Sequence, residues 1–250
     1  MKRLASYTTA LALALGHGAV QAAEDIEHPG NWIISAEVGA ITTSGNTAGT
    51  SVSGKFEILQ DTLRWSNEYT GSGFFKEDRS KVDGIEHSQR SAERYQFAAK
   101  AGYKLLEEHA KLYALASFEE DQFGAYRRTS KLGIGHGSRW YESDNKSLDM
   151  EFGPGYFNGL RANGEQEHTM IVRGAAAFRW KISPNASFAQ MLTVERGTEN
   201  MHSTSETSLS TRINGSMQMK AAFSARNDTN VPEGKQPTDT QTSLTLVYSF

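Results

Sequence analysis

The sequence predicts an all-β chain closed into an antiparallel transmembrane β-barrel of about twelve strands, with ten as the nearest alternative count. Three observations carry that prediction. Across residues 31–250 apolar and polar residues alternate with period 2 in segment after segment, the mark of strands whose two faces meet different surroundings. One face of every segment lacks Asp, Glu, Lys and Arg, while the opposite face carries the charge. After the first pair, the links between segments alternate between tight turns and mostly longer polar loops, as expected of short periplasmic turns and longer outer loops.

The uncharged faces, taken in order, begin with Trp32, Ile34, Ala36, Val38 and Ala40, then Val52, Gly54 and Phe56. Trp65, Tyr69 and Gly71 mark the third segment, and Tyr95, Phe97, Ala99, Ala101 and Tyr103 the fourth. Leu112 to Phe118, Leu132 to His136, Leu148 to Tyr156 and Met170 to Trp180 repeat the pattern in steps of two. A weaker ninth segment holds Phe188, Gln190, Leu192 and Val194. Leu209 to Ile213, Met217 to Ala225 and Thr242 to Phe250 complete the set. Aromatic residues gather near segment ends, where interfacial girdles belong. A basic residue facing lipid at mid-membrane costs roughly 2–4 kcal/mol, so the charged faces must line the interior. The rival arrangement is a soluble barrel or sandwich with the apolar faces packed together.

Composition narrows the class. The chain has 250 residues, 38% hydrophobic, with a mean hydropathy of -0.54, which cannot support a bundle of apolar helices. It has no cysteine, which removes disulfides, thiol nucleophiles and thiolate-ligated metals. A net charge of -3 argues against nucleic acid as a partner. Residues 1–22 read as an export signal: Lys2 and Arg3, an apolar stretch around Leu11 to Leu15, then Val20-Gln21-Ala22 before cleavage at Ala22 or Ala23. Residues 23–30 form a periplasmic lead and residues 31–250 a single outer-membrane barrel domain.

On the inward faces basic side chains outnumber acidic ones. The candidate lumen-lining residues are Arg64, Arg94, Lys100, Lys131, Arg173, Arg179, Arg212 and Arg226 with Glu37, Glu68, Glu119 and Glu151. A water-filled lumen of this kind favours anions; mutual pairing of the same charges would instead fill the interior. Inward Gly133, Gly135, Gly137, Gly153 and Gly155 suggest room inside, although glycine also eases strand curvature. The expected function is a porin-like passive channel for small solutes or an envelope salt-stress barrel. A closed structural barrel is the alternative, with a lipid hydrolase more distant. No enzyme and no cofactor are expected. The histidines are scattered, and the nominal acid–base candidates Asp78 or Asp121 with His87 or His168 show no spacing that unites them. The charged outer link 76–90 is read as the longest loop, able to fold inward or to meet lipopolysaccharide through divalent cations.

Leu244, Leu246, Tyr248 and Phe250 resemble the terminal strand signature read by the outer-membrane barrel assembly machinery. The hairpin Gly39-Ala40-Ile41-Thr42-Thr43-Ser44-Gly45-Asn46-Thr47 resembles that of the salt-induced outer membrane proteins, a domain family of unknown function. Residues 120–128, Gly153-Pro154-Gly155-Tyr156, Asn230-Val231-Pro232 and Val247-Tyr248-Ser249-Phe250 agree in order and spacing. The resemblance implies an outer-membrane barrel and carries no catalytic residues.

Overall fold

The computed structural model describes residues 31–43, 48–82, 85–105 and 109–250. The expected export signal and periplasmic lead, residues 1–30, and the hairpin tip Ser44-Gly45-Asn46-Thr47 lie outside the described residues. Twelve strands follow in chain order: β1 (Asn31–Thr43), β2 (Ala48–Asp61), β3 (Trp65–Val82), β4 (Ile85–Lys104), β5 (Ala110–Asp121) and β6 (Tyr126–Ser143), then β7 (Lys146–Arg161), β8 (Gln166–Ser183), β9 (Ala186–Arg196), β10 (Met201–Arg212), β11 (Met217–Asp228) and β12 (Thr238–Ser249). Each pairs antiparallel with its neighbours, and β1 meets β12 to close the ring. Closure leaves no free edge for hydrocarbon to meet, which is why a transmembrane sheet takes this form.

The predicted alternation governs the wall. Along β7, Gly153, Gly155, Phe157, Gly159 and Arg161 are buried, whereas Phe152, Pro154, Tyr156 and Asn158 between them are exposed on the outer surface. Leu132, Ile134, Phe152 and Met170 form the middle of the lipid-facing band. Its margins carry aromatic pairs such as Trp65 edge-on to Tyr103, centroids 5.2 Å apart, and Tyr248 edge-on to Phe250 at 4.7 Å. A soluble sandwich would have buried these residues against a second sheet, so that arrangement is excluded.

Three expectations are corrected. The link 76–90 is not a loop: β3 and β4 run on as a ladder to Val82 opposite Ile85. A tilted transmembrane strand needs only about 9–11 residues, so this 18- and 20-residue pair projects well beyond the bilayer. There both faces are wet, and cross-strand charge such as Glu77 opposite Arg90 replaces apolar alternation. Second, the polar run 197–205 reads in the sequence as a loop, yet residues 201–205 belong to β10. Third, period-2 parity in the sequence places Arg127 inward, but a bulge between Tyr126 and Arg128 gives that place to Tyr126.

Candidate functional site

The interior is polar and divided. On the β4–β9 side, Glu151 of β7 accepts from Lys100 of β4 at 2.9 Å and from Arg173 of β8 at 3.1 Å, with Lys111 of β5 at 3.4 Å. Lys100 also reaches Glu68 of β3 at 3.3 Å. Arg173 lies 3.8 Å from Glu195 of β9, which binds Lys131 of β6 in turn. Three of these bridges, Lys100–Glu151, Lys111–Glu151 and Lys131–Glu195, join strands that are not neighbours, so these side chains meet inside the lumen; the others tie adjacent strands. The band they form is continuous from β3 to β9.

The glycines of β6 and β7 serve this band. A Cβ on Gly135 would lie 2.6 Å from the Tyr113 hydroxyl and 2.5 Å from the Phe152 carbonyl oxygen. The room left at Gly135 is therefore filled by the Tyr113 ring, at Gly155 by Ile171 and at Gly137 by Lys111. Tyr113 then receives a hydrogen bond from Arg173 at 3.4 Å. These glycines seat interior side chains and do not open a passage, which corrects their reading as free space.

Open space lies on the other side of the barrel. A cavity of about 150 Å³ is walled by small residues including Ser53, Ser72, Ala222, Ser224, Ser243 and Thr245. Lys220 anchors its floor between Glu37 and Glu206, each at 3.3 Å. Lys55 is held loosely, 3.8 Å from Glu57. A larger vestibule of about 480 Å³ opens at the end that carries the tight turns, lined by Arg139, Lys146, Arg179, Lys181 and Arg212 against Glu142 and Asp144. Arg139 and Arg179 share Asp149 of β7, at 2.8 and 2.7 Å. Arg212, the last residue of β10, makes no ion pair among the described residues.

The outer mouth is narrowed. Arg226 of β11 binds Glu119 of β5 at 2.8 Å, a strut thrown between opposite walls, and Arg94 binds Asp121 beside it at 2.7 Å. Over them passes the link 229–237, tied to Asn200 by the Asn230 amide at 3.0 Å. Lys235 reaches across the mouth to the Phe123 carbonyl at 2.7 Å. Asp121 stabilises that landing point by accepting from the Phe123 and Gly124 amides, which explains the short link at Gly124. A small apolar core of Tyr126, Phe157 and Ile171 supports the same rim, where Arg161 donates to Glu167 at 2.7 Å and stacks on Tyr126.

Of the candidate residues, Arg64 is the one misplaced: it stands exposed in the inner turn between β2 and β3, outside any strand. The other charged candidates lie on inward faces, and all but Arg212 meet an opposite charge as described. Leu244, Leu246, Tyr248 and Phe250 face outward at the chain terminus, with the Phe250 amide bonded to the Ile34 carbonyl at 2.9 Å. Sequence parity missed Glu206, which falls between the loop read at 197–205 and Leu209, the first residue counted in that segment. It also missed the chain Asn200–Asp228–His202–Thr204, joined at 2.7, 3.0 and 3.2 Å. The alternate spacing of Asn200, His202 and Thr204 was its only signal. With Glu206, Glu167 and Asp228 inside, the basic excess of the lumen is smaller than the sequence suggested. His87 and His168 do not join Asp78 or Asp121, and among the described residues no group of His, Asp and Glu is placed to hold a metal ion.

Comparison of the fold gives similar barrels in solved structures. The NanC porin matches with a TM-score of 0.54 at 7% identity, covering 86% of this chain and 98% of that one. The translocator domain of the autotransporter NalP from Neisseria meningitidis matches at 0.50 with 14% identity, covering 90% of each. At these identities the likeness is one of fold, that of outer-membrane barrels. No curated protein matches the chain. A family model does, over residues 36–250, and the chain thus belongs to the family described as protein of unknown function, DUF481.

Proposed function

We infer that the protein is a narrow passive channel of the outer membrane for small solutes, with a preference for anions. The observation that supports this most is the wet, off-centre interior. No side chain among the described residues is fully buried, and a cavity walled by Ser, Ala and Thr stands beside the salt-bridged band. A plugged interior would be dry and close-packed. At the periplasmic end the vestibule presents more cations than carboxylates, so an anion entering there replaces part of its hydration by charge-assisted contacts. The fold likeness to NanC, itself a porin, agrees with the reading. Export by residues 1–22 and recognition of the terminal strand by the assembly machinery belong to the same proposal, as does lipopolysaccharide contact along the projecting β3–β4 hairpin. A second reading, a barrel closed at its outer end, has the Arg226–Glu119 strut and the Lys235 arch in its favour.

Planar-bilayer recording of the refolded protein under a KCl gradient separates the two. Small stable steps with a reversal potential on the anion side are expected. Arg226→Ala should raise conductance roughly two-fold or more, because the narrowest section dominates the resistance of a pore. Silence from both proteins, shown folded by heat-modifiable gel migration, would establish the closed barrel.

A further inference from the structure

The interior answers its cations with carboxylates. Among the described residues, the basic side chains on inward strand faces each lie within 3.8 Å of an acid, with two exceptions, Lys181 of β8 and Arg212 of β10. Both exceptions line the vestibule at the end that carries the tight turns. Elsewhere a carboxylate stands where two cations converge, as Asp149 does for Arg139 and Arg179 and Glu151 for Lys100 and Arg173. Between Lys181 and Arg212 that element is missing.

The ladders set the two side chains on either side of β9. Lys181 stands opposite Ser187 of β9, Ser187 stands opposite Ser210 of β10, and the Arg212 amide donates to the Asn185 carbonyl at 2.8 Å. Lys181 and Arg212 are therefore two strand spacings apart across the sheet, about 10 Å, and both side chains are long enough to lean over the strand between them. That strand presents only Ser187 and Ala189 to the vestibule from its inward face, and its single acid, Glu195, lies near its other end. Lys220, opposite Ser210, is already held by Glu37 and Glu206. The result is a hollow with two unanswered positive charges at its sides and two serine hydroxyls in its floor.

We propose that this hollow binds one tetrahedral dianion, inorganic phosphate or the phosphate group of a monoester. The assignment rests on the reading of the vestibule as an anion entrance and names the anion. Two unanswered cations match a dianion, whereas a monoanion such as chloride leaves one of them unmet. Arg212 presents the planar fork that takes two phosphate oxygens, and Lys181 a point charge for a third. The Ser187 and Ser210 hydroxyls donate to oxygens from below. Donors gathered around one centre suit oxygens on a single phosphorus better than two carboxylates held apart by a carbon chain. The vestibule, at about 480 Å³, leaves room for the organic part of a monoester.

Isothermal titration calorimetry of the refolded barrel in uncharged micelles, at fixed ionic strength, tests the site without any need for conduction. Inorganic phosphate and glycerol phosphate are titrated in turn, with succinate as a dianion of the wrong shape. Both phosphates should bind at a single site per chain and clearly more tightly than succinate; binding of inorganic phosphate alone would restrict the site to the free ion. Affinity should fall as the pH drops below the second ionisation of phosphate, because the dianion is the form that two cations answer. Arg212→Gln and Lys181→Gln should each weaken phosphate by about tenfold, the loss of one charge-assisted hydrogen bond. Lys146→Gln removes a vestibule cation that sits 4.9 Å over the Trp180 ring, and should leave the affinity within about two-fold. Heat-modifiable gel migration shows that each variant is folded. Succinate bound as well as phosphate, or Lys146→Gln as damaging as Arg212→Gln, would overturn the site and leave a diffuse positive rim. Phosphate bound by a barrel that is silent in bilayers would keep the site and remove the channel. Chloride steps from a barrel that binds no phosphate would remove the site and keep the channel.

Discussion

Glu151→Gln is expected to destabilise the barrel by about 3 kcal/mol, the lower end of the cost of breaking a buried ion pair. The carboxylate serves Lys100, Lys111 and Arg173 at once and keeps only 11% of its side-chain surface exposed. A neutral amide in its place leaves three cations converging on a group that cannot answer them. Repulsion among them is then relieved only by water or mobile anions. Two readouts follow. The urea midpoint of unfolding in micelles should fall, and the channel's reversal potential should move further toward the anion side, since one fixed negative charge has left the lumen. Glu57→Gln is the control: its partner Lys55 is 3.8 Å away, both side chains are a third exposed, and such a pair is worth about 0–1 kcal/mol. Equal midpoints for the two variants would show that the band around Glu151 does not act as a unit.

The sequence reveals the wall of this barrel better than its contents, for a physical reason. Lipid enforces period 2 on each strand, so strand number, inward parity and the closing terminal strand can be read residue by residue. Where lipid ends, the signal ends: β3 and β4 continue to Val82 and Ile85 in water, and Met201 to Ser205 continue β10 without an apolar face. A bulge also defeats parity, as at Tyr126. Inside, parity tells which charges face the lumen and nothing about which of them meet. Arg226 finds Glu119 across 107 residues because strand stagger brings both to one level on opposite walls. The glycines show the same limit: their inward direction is legible, but Tyr113, Lys111 and Ile171 filling the space they leave is not.

Gly153→Ala and Gly174→Ala should behave in opposite ways although the two positions lie close together on adjacent strands. A Cβ on Gly153 would sit 2.0 Å from the Ile134 carbonyl oxygen and 2.5 Å from the Gly135 Cα, both backbone atoms of β6 that no rotamer change can move. β6 and β7 must separate to admit the methyl group. They do so beside Pro154, which has no N–H to give the ladder, so the local sheet has little to hold it in register. Overpacking of this kind costs about 3 kcal/mol, the upper part of the usual range. At Gly174 of β8, opposite Phe152, nothing lies within 4 Å of the added Cβ, which points into the lipid-facing band. There the substitution should leave stability unchanged or raise it by about 0.4–1 kcal/mol by restricting the unfolded chain. Parallel urea titrations of the refolded variants, read by tryptophan fluorescence and gel migration, measure both. Gly153→Ala should refold in poor yield with a lowered midpoint, and its displaced β6 should unseat Tyr113 from Gly135, loosening Arg173 and weakening anion preference in the fraction that folds. A Gly153→Ala barrel as stable as Gly174→Ala would mean that β6 and β7 are free to part at Pro154, and that the close approach at Gly135 is not what holds the lumen-crossing band in place.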